Sequence, residues 1–520
     1  MRASRAADRW LGERAGGSRG AGTPLISVVI PTYNRADLLR ETVESVLAQT
    51  YAPVEVIVVD DGSTDGTAAL MQGYTDRVVY IRQENRGGTA ARNTGTRAAK
   101  GTYLNWLDHD DLMLPTKLER QVEVLETRPE VGLVHCGYYR IDKDGNVLDR
   151  ITGLPEGDVR RRLVCGCFIW SGAPLVRREC IERMGLFDES VWSSDADMWL
   201  RIALAGYRFG CVQDPLGKYR ILPDSTMADV ARTERLDFAT LDRIFADPAL
   251  PRDVAAMRTD AYFNQRFWLA TRYYTIGEWA DAERNLTAAL ALRPELLANP
   301  EELLQWVTGS AFDPRVSDAL RYLDDVLEHL PPAGGVLRAH RTQLLSQVGV
   351  RLALRHYALG RLAEAKSALA RAVREDPTIF DRPQEFAGAL HETARRMEVE
   401  PRAYFDTVLL NLPHEARWLV ELRAHLLSEM FLAAAFREYW AGHFRPAVRQ
   451  AVQALRHRPA LLPWLLKHTL RRGFSKARRS LVAMAARDPA VRWNGRVGDA
   501  PGRATREPLR ADETRTSRGA

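Results

Sequence analysis

From residue 25 the chain alternates short apolar runs with amphipathic stretches. Residues 25–30 form a β-branched apolar run closed by Pro31, and residues 54–59 form a second. Between them Leu38, Leu39, Val43, Val46 and Leu47 recur at helical spacing, with Asp37 near the start. The same pattern predicts a helix over 68–74, a strand over 78–81, a helix over 89–99, a strand over 102–107 and a helix over 112–125. Continuous apolar strands alternating with helices predict a parallel sheet covered on both faces. Sites in such sheets gather at the carboxyl ends of the strands. Three of the four strands end in polar clusters: Pro31-Thr32-Tyr33-Asn34, Asp60-Asp61-Gly62-Ser63 and Asp108-His109-Asp110-Asp111.

From about 233 the texture changes to long Ala/Leu/Arg-rich helical patterns, and it repeats. Tyr274-Thr275-Ile276-Gly277 leads to Arg293-Pro294, Tyr357-Ala358-Leu359-Gly360 to Asp376-Pro377, and Tyr439-Trp440-Ala441-Gly442 to Arg458-Pro459. Glycine to proline is 17 residues each time, and the copies lie 83 and 82 residues apart. Leu330-Pro331 and Leu412-Pro413 follow the same period. Each glycine is expected to join two helices and each proline to stop the second. The units resemble tetratricopeptide helix pairs set in a longer repeat.

Composition narrows the class. Of 520 residues, 46% are apolar and 27% charged, close to globular averages, so a collagen-like or globally disordered chain is excluded. The net charge of +6 is unevenly spread: residues 1–22 carry +3 and 467–520 carry +9, leaving 23–466 at −6. An acidic folded part argues against a nucleic-acid partner. No 18-residue apolar run occurs, and the Arg-rich N-terminus has no apolar segment behind it. A cytoplasmic location is the expectation. Five cysteines (Cys136, Cys165, Cys167, Cys180 and Cys211) lack the paired spacing of a zinc ribbon and read as reduced thiols. The expected organisation is a disordered basic arm over 1–22, an α/β domain over 23–232, an α-helical repeat domain over 233–470 and a basic, largely disordered tail over 471–520.

The candidate chemistry sits at the strand ends. Three carboxylates after one buried strand repel each other unless a cation lies among them. Hard oxygen ligands suit Mg²⁺ or Mn²⁺, which often also bind substrate phosphates. A solvated acidic turn at a helix N-terminus is the plainer alternative. The segments Ile26 to Arg35, Val58 to Thr67, Asn85-Arg86-Gly87-Gly88 with Ala91-Arg92-Asn93-Thr94-Gly95, and Leu107 to Asp111 together resemble a family 2 glycosyltransferase of the GT-A fold. Ser194-Asp195-Ala196-Asp197-Met198-Trp199-Leu200-Arg201 is similar to the family's "E-D-x-D-L-W-L-R" block, and Tyr219-Arg220 resembles the end of its domain. The resemblance covers roughly 24–230.

The resemblance implies a nucleotide-sugar donor and a saccharide or lipid-linked acceptor, in surface polysaccharide or glycoconjugate synthesis. It places Pro31, Thr32 and Tyr33 in the base pocket, Asp61 on the base and Arg92 beside the nucleotide. Asp108 and Asp110 fall near ribose and metal, Asp111 is the direct metal ligand together with Asp110, and Asp195 is the catalytic base with Asp197 as runner-up. Two positions depart from the family pattern. Ser194 stands for the usual Glu, and Ile221-Leu222-Pro223 follows Tyr219-Arg220 where many relatives carry a His.

The residues support that chemistry from below. A sugar hydroxyl is a poor nucleophile and a nucleoside diphosphate leaves with negative charge, so the transfer needs a cation at one end and a carboxylate base at the other. One displacement by one base inverts the anomeric centre. Trp170 and Trp192 are read as either sugar-stacking or packing residues, and His109 and His135 as non-ligands. The rival is a degenerate, scaffold-type protein docking partners through its helical repeats. A processive synthase is disfavoured, because His414-Glu415-Ala416-Arg417-Trp418 lacks the Gln of a Q-x-x-R-W block. The apolar stretch 460–466 and the basic residues after it read as a terminal cap with a solvated end, or as peripheral attachment to the inner face of an anionic membrane.

Overall fold

The computed structural model describes residues 23–191, 193–222, 229–379, 383–421, 423–440, 444–458 and 461. The basic arm, Trp192, Pro223, Gly442, Pro459 and the tail with its apolar lead-in beyond 461 lie outside the described residues. The chain divides into two compact units, one of Met1–Ile379 with Glu392–Arg417, the other of Phe380–His391 with Trp418–Ala520.

The first unit is built on a nine-stranded sheet. Its strands are β1 (Ile26–Thr32), β2 (Val54–Asp60), β3 (Val79–Arg82), β4 (Tyr103–Trp106), β5 (Leu112–Met113), β6 (Val131–Ile141), β7 (Val147–Ile151), β8 (Leu175–Arg177) and β9 (Arg208–Arg220). Their order is β3-β2-β1-β4-β8-β6-β9-β5, with β7 beside β6. The four strands expected from the apolar runs form the parallel half. Every residue of β1 is buried, as the unbroken run requires. In register Thr32 faces Asp60 and Val29 faces Trp106, so the polar ends of β1, β2 and β4 finish on one edge. Strand order reverses at β1/β4, and ligands of open α/β sheets bind at such a switch point.

Beyond β4 the sheet is mixed: β8 runs antiparallel to β4 and β6, while β9 runs parallel to β6. The stretch 112–125 is not one helix. Leu112 and Met113 pair antiparallel with Lys218 and Gly217 of β9, Pro115 follows, and the helix begins only at Lys117. A residue before proline is driven to extended backbone, which separates the two elements. The pairing also carries the end of β9 to the acidic turn.

The sheet's apolar core does not stop at 232. Ile244, Phe245, Leu250, Val254 and Met257 pack into it alongside Phe209, Trp199 and Leu163. Further on, Arg258–Ile276 pairs with Trp279–Leu292 across Gly277 (φ 78°), and Arg341–Ala358 with Leu362–Glu375 across Gly360 (φ 73°). Both glycines take the left-handed turn that a Cβ disfavours. The repeat is visible in its bonds as well. The Tyr274 hydroxyl donates to the His329 carbonyl (2.9 Å), and its counterpart Tyr357 donates to the Asn411 carbonyl (2.6 Å). Each acceptor immediately precedes a Leu-Pro landmark. In the second unit Arg423–Trp440 and Phe444–His457 pack through Leu432, Ala435, Val448, Val452 and Leu455. Among the described residues no helix is long and apolar enough to cross a membrane, and all five cysteines are free thiols.

Candidate functional site

At the end of β1, Pro31 and Thr32 are buried and Tyr33 is exposed. The Thr32 hydroxyl is buried and has no hydrogen-bond partner, a polar atom left over at the switch point. Asn34 adopts φ 51°; its backbone N–H donates to Ser63 Oγ (2.9 Å), and its side-chain oxygen accepts from the Thr64 N–H (2.8 Å). These bonds lock the β1 and β2 ends together. Asp61 is buried, and its carboxylate accepts from Gln83 Nε2 (2.7 Å) and from the backbone N–H groups of Arg86 (3.0 Å) and Gly87 (2.7 Å). It thereby fixes the loop that opens the helix Gly88–Ala98, which carries Arg92.

The acidic turn after β4 is a charge ladder. Asp108 receives the Arg92 guanidinium at 2.5 Å and the Ser171 hydroxyl at 2.6 Å. Burial works against its charge, but these two donors hold its carboxyl below the ordinary range. Asp111 is fully buried. Its two oxygens accept from the Trp170 indole N–H (2.6 Å) and the Arg220 backbone N–H (2.9 Å). Burial, followed by the charges of Asp110 and Asp108, pushes Asp111 well above the usual carboxylate range. Burial also raises Asp110, with Asp108 adding to the rise and His109 opposing it.

Trp170 is a packing residue with a polar task. A Cβ on Gly217 would come within 2.3 Å of its ring, so only glycine lets β9 pass this close. Tyr138 and Tyr219 flank the ring with centroids at 5.6 and 6.5 Å. Arg220, also buried, ties the turn together: its Nε donates to the Asp110 carbonyl (2.9 Å), and its other guanidinium nitrogens reach the Lys143 carbonyl (2.9 Å) and Glu41 (2.8 Å). His109 Nδ1 lies 3.3 Å from the Pro31 carbonyl. His135 is buried against the Pro155 carbonyl, and burial holds it neutral, near a pKa of about 4.

Asp195 lies in the first turn of Ser194–Leu204, with Ser193 at the cap position. Burial pushes its carboxyl up against the pull of Arg92, and Asp108 adds to the rise. The Arg92 guanidinium is therefore shared electrostatically between Asp108, Asp195 and Asp111. The helix that carries Arg92 also touches the start of the helix that carries Asp195, with the Thr89 and Ser194 hydroxyls 3.0 Å apart. Asp197 is spent differently: one oxygen is paired with Arg201 Nε and the other with Arg243, both at 2.8 Å.

The turn also fits a divalent cation. Three carboxylates share one short turn and Arg92 is paired with Asp108, which leaves Asp110 and Asp111 as hard oxygen donors side by side. Among the described residues no three carboxylate, histidine or cysteine side chains form a closed cage. An open site completed by substrate phosphates and water is the arrangement typical of Mg²⁺. Asp110 and Asp111 are the residues that would hold it. Ser171 is the site residue that local sequence did not reveal, and the bonds of Trp170 and Arg220 to the turn were equally hidden: in the sequence Trp170 reads as a sugar-stacking or packing residue and Tyr219-Arg220 as the end of a domain. These contacts come from strands and loops distant in the chain.

The sequence profile described as glycosyl transferase family 2 matches residues 27–182, which include the three polar strand ends and Arg92. A putative teichuronic acid biosynthesis glycosyltransferase of Bacillus subtilis, TuaG, is 33% identical over 211 residues, which cover 39% of this chain and 81% of that protein. The chain belongs to glycosyl transferase family 2. An uncharacterized glycosyltransferase of Rickettsia prowazekii is 36% identical over 191 residues, 34% of this chain. The chain spans 58% of that relative's length. Among solved structures, a mannosyltransferase of Pyrobaculum calidifontis in complex with GDP-Man and Mn²⁺ covers 62% of this chain and 91% of its own, with 23% identity and a TM-score of 0.39. The family's α/β domain here is the sheet of β1–β9, and the helical region follows it.

Proposed function

We propose that this family 2 member is an inverting, metal-dependent glycosyltransferase, moving a sugar from a nucleotide-sugar donor to a hydroxyl of a saccharide or lipid-linked acceptor. The observation that carries it is that one helix, Gly88–Ala98, pairs its Arg92 with Asp108 of the acidic turn and sets its Thr89 hydroxyl 3.0 Å from that of Ser194 beside Asp195, bringing together one acidic centre suited to a leaving diphosphate and one suited to a proton. TuaG's name supports an acceptor in a surface polymer.

On this reading Pro31, Thr32 and Tyr33 line the base pocket, with the unpartnered Thr32 hydroxyl available to the nucleotide. Asp61 acts one step back, by holding the loop 83–87 in place. A divalent cation held by Asp110 and Asp111 supplies charge neutralisation for the leaving diphosphate. Asp108, locked by Arg92 and Ser171, lies beside the ribose. Asp195 accepts the proton of the attacking hydroxyl; burial raises its pKa and makes its carboxylate a stronger base than that of an exposed aspartate. Asp197 is already committed to two arginines, so Asp195 takes the base role. Attack from the Asp195 side on the face opposite the diphosphate inverts the anomeric carbon. The helical region would serve acceptor or protein partners.

A donor screen tests this directly. The purified full chain is incubated with UDP-, GDP- and dTDP-sugars, with Mn²⁺ or with EDTA, and nucleoside diphosphate release is read. Metal-dependent release from one donor is expected. No release from any donor would favour a scaffold protein acting through its helical repeats.

A further inference from the structure

We infer that the helix Val230–Ala246, the first described element after the sheet, is a wall of the reaction centre whose Arg243 and Asp237 position Asp195. This rests on Asp195 being the base proposed above. Asp195 follows a loop, 185–193, that has no regular structure of its own among its described residues. Its position is therefore set by what grips the loop.

The sheet side grips through the helix that carries Arg92. Asn93 Nδ2 donates to the Phe187 carbonyl (2.9 Å) and its oxygen accepts from the Phe187 N–H (3.0 Å), while Thr89 and Ser194 hydroxyls lie 3.0 Å apart. The opposite grip comes from Val230–Ala246. One terminal nitrogen of Arg243 reaches Asp188 Oδ2 at 2.7 Å and the other reaches Asp197 Oδ1 at 2.8 Å. A single planar fork thus ties a residue seven before Asp195 to one two after it. Asp237, on the same helix, lies beside Ser193 and is itself fixed by Gln265 Nε2 at 2.9 Å. Both contacts fall on residues that bracket Asp195 in the chain.

The clamp is not needed to fill the core. Arg243 is about half exposed, and its neighbours Ile244 and Phe245 do the apolar packing. What it contributes is geometry: a bidentate guanidinium restricts both carboxylates at once, which a lysine cannot reproduce. Misplacing a reacting group by ~1 Å costs on the order of 10²-fold in rate.

The experiment compares full-length parent, Arg243→Ala, Arg243→Lys and Asp195→Asn. Turnover is nucleoside diphosphate release from the donor active in the screen; nucleotide binding is titration with UDP and GDP in Mn²⁺; folding is the melting temperature. Arg243→Ala is expected to lower kcat about 10–100-fold with nucleotide affinity within about twofold and melting within about 3 °C, and Arg243→Lys to recover part of the loss. Parent-like kcat in Arg243→Ala, with turnover lost in Asp195→Asn, would overturn the positioning role alone. A fall in kcat that only tracks nucleotide affinity or melting temperature would overturn it too. Full turnover in Asp195→Asn would overturn the base assignment beneath it.

Discussion

The acidic turn at 108–111 and the helix start at Asp195 both abut the helix that carries Arg92, yet they are held in place by different means. The turn is braced by the loop before β8 and by the end of β9: Trp170 and the Arg220 N–H give each oxygen of Asp111 a fixed donor. Asp195 follows a loop gripped by Asn93 and Thr89 from the helix of Arg92, and by Arg243 from the helix Val230–Ala246. On the proposed reading the difference matches two tasks: a leaving diphosphate is common to every donor of one class and suits a rigid cradle, whereas the base must meet the hydroxyl of a particular acceptor.

Breaking each centre separately sharpens this contrast. The largest effect is expected at the base: Asp195→Asn should lower kcat by ~10²–10⁴ while nucleotide affinity stays near the parent value, measured by steady-state transfer and nucleotide titration. At the turn, Asp110→Asn and Asp111→Asn should part ways. Among the described residues no side-chain hydrogen bond to the Asp110 carboxylate is seen, so its amide variant should lose about a hundredfold in metal-dependent turnover with little change in melting. Asp111→Asn should lose activity and melting temperature together, because an NH₂ group would face the Trp170 or Arg220 N–H.

The pH dependence follows from direction alone. Asp195 works ionised, and burial reinforced by Asp108 raises its pKa against the opposing Arg92. Falling pH therefore protonates it earlier than an exposed aspartate, at ~3.9. The acid limb of kcat/KM should lie above that value, and Asp195→Glu should move or abolish it. The smallest activity effect is expected at Asp197. Asp197→Asn removes a carboxylate held by Arg201 and Arg243, which should cost ~1–3 kcal/mol in denaturant stability and less turnover than Asp195→Asn.

Sequence pattern was enough for the parallel half of the sheet, because strands buried on both faces write unbroken apolar runs such as those of β1 and β2. It was enough for the helix pairs across Gly277 and Gly360, because a left-handed turn and a helix stop recur at fixed spacing. It was not enough for β5, two residues whose only strand signal is a partner in β9. The same limit applies at the site. Contiguous acidic residues were visible, but the indole and the backbone amide that hold Asp111 lie 59 and 109 residues away, and no local period marks them. Arg243 and Asp237 were hidden for a related reason. They belong to an amphipathic helix whose charged face looks like any solvated one until the loop 185–193 is laid against it.

The division between the two centres is tested most directly by titrating UDP and GDP into Asp110→Asn and Asp195→Asn side by side, with and without Mn²⁺. The account predicts that Asp195→Asn binds the nucleotide as the parent does and keeps the full gain from Mn²⁺, whereas Asp110→Asn loses that gain. Equal Mn²⁺ gain in both variants, or its loss in Asp195→Asn instead, would contradict it.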